Sequence, residues 1–482
     1  MRKLVLVLLS FVLLFCACKQ DQKPADLINF KSEIPIEMTG SSLEISCTYK
    51  TDYFRADSSD FSKDLALLSF AVSRSDIRNV FTAMGFDTQT GYVNDDTDYN
   101  KCSYYFGHRS MDGYDLIAVS INWSAYGVEW AGNFCVGEKI EGKRSDHKGF
   151  DLAAEWVYDN LLDYIETYFG DNKLKIWISG YSRAAALTDK LACKVIENKE
   201  LNVSQDNLFI YAFEPSSSID SEYESPYSCI HNIVNGSDIV ASMPPSIWNL
   251  IRPGDGVVDI GKSPDTLNQY LKDIVGEGVS MPVFTPDPEN YENPDEFLAF
   301  FIRKMTEQED VVLAANYIEL LDNRQTDSGH EPISADLKNY LNSLPSSVSP
   351  AGFKDRETFV DTVQDRLTYL LQLFMRDSKK GLNVLIDAIK ALIKEKGEAY
   401  LLTLLTGDEF YEFTSDAFIK NNIPFNDDEL KVNCSLATAL GSNGKLVSAL
   451  LSFVIDEDKL NNIKYIVLSH YPEVIYALLK NC

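Results

Sequence analysis

Residues 173–192, KLKIWISGYSRAAALTDKLA, restrict the possible folds more than any other stretch of the chain. Leu174, Ile176 and Ile178 alternate along it with Trp177 between them, a spacing that suits a buried strand. After Gly180 the apolar residues Ala184, Leu187, Leu191 and Val195 recur every three or four positions, which is the period of a helix. Between the two lies Gly180-Tyr181-Ser182-Arg183-Ala184. A nucleophile elbow is a tight strand-to-helix turn that thrusts a serine hydroxyl above a sheet. It needs small residues two before and two after the serine, because the two backbones nearly touch there. Gly180 and Ala184 meet that need, although glycine is usual in both places. The serine would also sit at a helix N-terminus, where free N–H groups and the helix dipole favour developing negative charge. Serine is equally a common helix cap, so the motif alone also fits an ordinary N-cap.

The start of the chain reads as an export signal. Arg2 and Lys3 precede an apolar run at residues 4–14, too short to span a bilayer comfortably. Ala17-Cys18 then resembles a bacterial lipoprotein processing site, with Cys18 as the lipidated first residue of the mature chain. Cleavage and secretion without lipid is the alternative. The net charge of −28 argues against nucleic acid as a partner and against an electrostatic hold on anionic lipid. With 45% hydrophobic and 12% aromatic residues, the chain is able to bury a large core. Beyond Cys18 there are seven cysteines, an odd number, so at least one is unpaired or pairs between chains. None has metal-like CxxC spacing, and Cys193 falls on the helix of the elbow as a small core residue.

Amphipathic helices are expected at residues 60–73 and 78–84, and a hairpin at 103–122 around Asp112-Gly113. Residues 114–121, almost continuously apolar, suit a central strand. A long helix at 146–169 and strands at 207–213 and 230–235 complete an alternation of strands and helices. That alternation indicates an α/β fold with a mostly parallel sheet flanked by helices. From 261 to 455 helical patterns dominate, at 267–275, 295–321, 356–375, 382–405 and 408–420, as in a large helical insertion. A strand at 463–468 and a helix at 472–479 then follow. The expected plan is a signal at 1–18, a tether at 19–50, a core at 51–260, the insertion as a cap or lid at 261–455, and the end of the core at 456–482.

Five histidines limit the search for a base. His108 lies in the hairpin, His147 begins a helix ahead of the serine, His231 starts a strand, and His330 falls in a loop of the insertion. His470 follows an apolar run and precedes Tyr471-Pro472-Glu473, where Pro472 suits the first turn of a helix. It stands last, as the α/β-hydrolase order of serine, acid and histidine requires. The acid should leave a strand end between Ser182 and His470. Asp238, in Asn235-Gly236-Ser237-Asp238 after an apolar strand, is the first choice, and Glu214 in Phe213-Glu214-Pro215 the second. A carboxylate at a strand end is often only a turn former.

Together these residues resemble the class 3, or fungal-type, lipases and their bacterial relatives. The resemblance rests on residues 180–185 (GYSRAA), 211–215, 232–245 (NIVNGSDIVASMPP), His147-Lys148-Gly149-Phe150, and His470-Tyr471-Pro472-Glu473. It covers about 50–260 and 455–482 and leaves out the insertion. Glu129-Trp130 and Asn133-Phe134 also match the family. The resemblance implies an α/β-hydrolase-like fold and a serine hydrolase that cleaves carboxylic esters or lipids. Ser182 would be the nucleophile, His470 the base and Asp238 its orienting acid, with no metal or cofactor. Arg-Ala follows the serine in place of the commoner Leu-Gly or Arg-Gly. The family's Arg-Gly-Thr/Ser turn is replaced by Asn122-Trp123-Ser124, so the oxyanion hole would use the N–H of Arg183 and one near Ser124. A non-catalytic envelope binding protein on the same scaffold is the rival expectation, and a peptide substrate stays open beside an ester.

Overall fold

The computed structural model describes residues 27–94, 98–122, 128–170, 172–201, 203–223, 227–306, 355–360, 409–425 and 456–482, with scattered positions between 364 and 453. The expected lipidation residue Cys18, the loop residue Ser124 and His330 lie outside the described residues.

The chain opens with an antiparallel hairpin, β1 (Leu27–Ile36) and β2 (Ser41–Lys50). This corrects the expected tether, which was drawn through residue 50. The polar residues that suggested a tether form the solvent face, while Ile34, Ile36, Ile45, Cys47 and Tyr49 alternate into the core. Two helices follow, α1 (Lys63–Arg74) and α2 (Ile77–Ala83). Their N-termini are capped by Ser62, which accepts from the Leu65 N–H, and by Asp76, which accepts from the Asn79 N–H.

The central sheet has seven strands: β3 (Asp87–Tyr92), β4 (Ser103–Met111), β5 (Tyr114–Asn122), β6 (Leu174–Tyr181), β7 (Leu208–Phe213), β9 (Ile230–Val234) and β11 (Val257–Asp259). The short strands β8 (Ile219–Asp220) and β10 (Leu250–Ile251) pair separately. The order across the sheet is β11-β9-β7-β6-β5-β4-β3. Strands β5, β6, β7, β9 and β11 run parallel, and β3 and β4 add an antiparallel edge. The fold is α/β-hydrolase-like: a mostly parallel sheet, helices on both faces, and the serine turn at the C-terminal end of a central strand.

The pleat divides the strand residues between two cores. Ile176 and Ile178 of β6 pack with α3 (Lys148–Tyr168) and α4 (Arg183–Glu197) on one face. Trp177, Phe209, Tyr211 and Phe213 point to the other, against α1 and the hairpin. Trp177 also donates to the Ser69 hydroxyl at 2.9 Å, so even the indole N–H is satisfied in this interior. On that second face lie further α5 (Pro264–Ile274), α6 (Pro294–Thr306), α9 (Glu457–Leu468) and α10 (Pro472–Asn481). Helices α5 and α6 fall within the insertion expected at 261–455 but pack into the core through Leu267, Leu271 and Phe297, which corrects its start, while α7 (Arg356–Phe359) and α8 (Glu409–Lys420) fall further along it. The helix segments expected at 307–321 and most of 360–405 lie outside the described residues.

The segment expected as a strand at 463–468 is the end of helix α9. A short β-branched run fits either period, and its upstream cap decides between them. Asp456 accepts from the N–H groups of Asp458 and Lys459, and the buried residues Asn462, Tyr465 and Ile466 follow helical spacing with Val467 exposed. His470 therefore follows a helix and precedes α10. Among the described residues no helix is long and apolar enough to cross a membrane.

Candidate active site

Strand β6 ends at Tyr181, and its ladder continues one residue further, with the Ser182 N–H donating to the Phe213 carbonyl at 2.8 Å. Ser182 then adopts φ 61°, ψ −130°, a conformation that non-glycine residues rarely take and that costs about 1–3 kcal/mol. The turn is tight because β6 and α4 touch. A Cβ added at Gly180 would lie 2.4 Å from the Ala184 carbonyl oxygen and 2.5 Å from Thr188 Oγ1. The Ser182 side chain makes no cap hydrogen bond to α4. The ordinary N-cap reading of this serine therefore does not describe the structure.

The hydroxyl faces His470. Ser182 Oγ lies 2.8 Å from His470 Nε2, and His470 Nδ1 lies 2.5 Å from Asp238 Oδ2. Three residues separated by 288 and 232 positions along the chain thus form one hydrogen-bonded line. Asp238 is fully buried, with Oδ1 accepting the Val240 N–H at 2.7 Å. Ser182 and His470 retain partial exposure, so the hydroxyl is accessible from solvent while the acid is not. Tyr181, buried beneath the histidine, donates its hydroxyl to the His470 carbonyl and fixes the backbone of that loop. The Asn235 side-chain amide donates to the Ser469 carbonyl at 3.3 Å, a second tie between the acid's turn and the histidine's loop.

The first N–H groups of α4, beginning with Arg183, have no intrahelical acceptor, so they form a positive pole beside Ser182 Oγ. The Arg183 side chain turns inward instead. Its guanidinium donates to Asn133 Oδ1 at 3.2 Å and to the Tyr99 carbonyl at 3.3 Å, and it lies over the Phe150 ring. That ties the residue after the serine to the 3-10 turn Val128–Asn133, which carries Glu129 and Asn133.

Glu214 does not reach His470 in place of Asp238. It is fully buried at the end of β7, where its Oε1 accepts the Asn235 N–H at 2.9 Å. Burial, with the Asp238 carboxyl alongside, pushes the Glu214 acid well above the ordinary carboxylate range. Arg252 is a cation that feels both acids. Desolvation pulls its guanidinium down, and the carboxyls of Asp189, Glu214 and Asp238 oppose that. Neither Arg252 nor the inward role of Tyr181 was read from the sequence. Only the placement of Tyr181 next to the serine could have signalled it.

The other described histidines have structural partners. His108 Nδ1 pairs with the Tyr164 hydroxyl at 2.7 Å, and His231 Nε2 with the Ser58 carbonyl at 3.0 Å. His147 caps α3, with Nδ1 accepting the Phe150 N–H at 3.4 Å and Nε2 donating to the Asn133 carbonyl at 3.1 Å. Burial holds its imidazole down to a pKa of about 3. Cys193 is buried as expected. Two hollows of about 340 and 830 Å³ lie away from Ser182, one along β2 and α1, the other outside α3 and α4.

A strand-turn-helix serine, a histidine within hydrogen-bond reach and a buried acid behind it make an arrangement competent for nucleophilic acyl transfer. Comparison with known proteins finds similarity over part of the chain. No curated protein matches the chain. Similar solved structures include a fungal lipase–inhibitor complex, at 17% identity and TM-score 0.31 over 42% of this chain and 77% of that one. A triacylglycerol lipase shares 16% identity at TM-score 0.30, covering 42% of this chain and 77% of that one. The lipase from Rhizopus microsporus var. chinensis shares 18% at TM-score 0.29, covering 39% and 69%. Residues 129–248, which hold Ser182, Glu214 and Asp238, match the family of lipases (class 3), and over that segment the chain is class 3 lipase-like.

Proposed function

We propose that the protein is a serine hydrolase that cleaves carboxylic esters, lipase- or esterase-like, through Ser182, His470 and Asp238. The observation that carries this reading is the unbroken line from Ser182 Oγ to His470 Nε2 and from Nδ1 to Asp238 Oδ2, set at the N-terminus of α4. His470 takes the proton as Ser182 Oγ attacks the ester carbonyl, and Asp238 stabilises the imidazolium that forms. The oxyanion of the tetrahedral intermediate faces the α4 N-terminus, with the Arg183 N–H as one donor. His470 then protonates the leaving alcohol. Water attacks the acyl-enzyme by the same route, releasing the acid and restoring Ser182. No cofactor enters this cycle.

The export signal and Cys18 support a second part of the reading, that the mature enzyme is held at a membrane of the cell envelope by lipid on Cys18. The helical insertion, between acid and base in sequence, is the segment that would shape the acyl pocket. A fluorophosphonate probe tests the chemistry directly: Ser182 should be labelled in the wild type and the label should vanish in Ser182→Ala. An unlabelled, folded wild type would instead indicate a binding protein on a hydrolase scaffold. A chain-length series of ester substrates, run beside a peptide series, then defines what the pocket accepts.

A further inference from the structure

The hydrolase chemistry assigns no task to Glu214, yet the structure places it with care. It ends β7 in the left-handed region at φ 53°, and its side chain is fully buried. Both features are costly. A left-handed residue other than glycine costs about 1–2 kcal/mol, and a buried carboxyl costs more unless its hydrogen bonds are met. Glycine or asparagine would satisfy the backbone alone.

What the carboxyl faces is the acid of the relay. Its Oε1 accepts the Asn235 N–H at 2.9 Å, and the carboxyl of Asp238 lies alongside. Among the described residues no N–H or hydroxyl donor reaches Oε2. Two carboxyls side by side in a closed site share a proton rather than ionise together. Asp238 has the better-solvated charge, because the Val240 N–H and His470 Nδ1 both meet it, whereas Glu214 receives a single N–H. The proton therefore sits on Glu214, in keeping with the upward push that burial and Asp238 exert on it. The other ionisable groups facing the pair are Arg252, whose Nε donates to the Pro215 carbonyl at 2.7 Å, and the Tyr181 phenol.

Resting on the ester-hydrolase reading of Ser182, we infer that Glu214 is a positioning residue for the triad acid. Its carboxylic acid donates a hydrogen bond to Asp238 while the Asn235 N–H anchors it, which holds Asp238 in the rotamer that meets His470 and spreads the aspartate's charge.

The test uses the full mature chain, first labelled with a fluorophosphonate and then assayed on a p-nitrophenyl ester across pH. An unlabelled wild type removes the hydrolase reading and this inference with it. With a labelled wild type, Glu214→Leu should lower kcat about tenfold to a hundredfold with KM little changed, as for a misplaced catalytic group. It should also move the acid-side midpoint of kcat/KM upward by about half a pH unit, since an undispersed Asp238 charge holds the imidazolium more tightly. Glu214→Gln should restore both, because its amide N–H can donate to Asp238 while its carbonyl accepts from Asn235. If Glu214→Leu does not fold, Glu214→Asp, one methylene short of Asp238, should show the same loss. A folded Leu or Asp variant with wild-type kcat and midpoint, or a Gln variant as impaired as Leu, overturns the assignment.

Discussion

Ser182 makes no cap bond and its hydroxyl is directed at His470, so removing that oxygen costs chemistry and little packing. Ser182→Ala should leave the melting temperature nearly unchanged and lower ester turnover by roughly 10⁴- to 10⁶-fold; an active alanine variant would remove the serine from the mechanism. The two acids separate in the same assay. Asp238→Asn should cost far more than Glu214→Gln, because only Asp238 touches the His470 ring and stabilises its charge. Ser182, Asp238 and His470 were legible in the sequence because each carries a local signal: a small-x-Ser-x-small turn, an aspartate after a strand end, and a histidine ahead of a helix-starting proline. Glu214 was legible only as a rival for Asp238. Its contact with that acid depends on the register that pairs Phe213 with Ile233 across β7 and β9, which no short stretch encodes.

At the scale of elements, periodicity identified β5, β6, α3 and α4 well, since each is long and buried on a defined face. It failed where polar and apolar residues alternate in a solvent-facing hairpin, and where a short β-branched run closes a helix. The hairpin's burial makes its own prediction. Ile34→Ala should destabilise the protein by about 2–5 kcal/mol in urea unfolding, a cost that a mere tether would not show. Helix α3 supplies another through its cap. His147 is neutral when folded, with a pKa of about 3 against an ordinary value near 6.5. The unfolded chain therefore binds the proton first, and stability is complete above about pH 6.5 and drains away as pH falls toward 3. His147→Asn keeps a cap acceptor without the titration. Its unfolding free energy should fall less steeply than that of the wild type between pH 6.5 and 4, and parallel curves would show that His147 does not govern acid stability.

For the whole molecule, the charge of −28 makes an electrostatic hold on anionic lipid unfavourable, so attachment should depend on acyl chains. Cys18→Ser should release the protein into the soluble fraction, and high salt should leave the wild type in the membrane pellet; the reverse pattern would remove the anchor. Substitutions in the insertion that face substrate should alter ester preference more than stability. The same chain also sets a clock on its own chemistry. His470 is drawn from a segment 288 residues beyond the nucleophile, and that segment is seated by the N-terminal hairpin, where the Met38 N–H meets Glu473 at 2.8 Å. A polypeptide emerging from the ribosome carries Ser182 and Asp238 before it carries His470. A chain stopped at residue 455 should accordingly ignore the fluorophosphonate probe. If the chain is the hydrolase proposed above, its serine and acid wait without a base until the segment around residue 470 has been made.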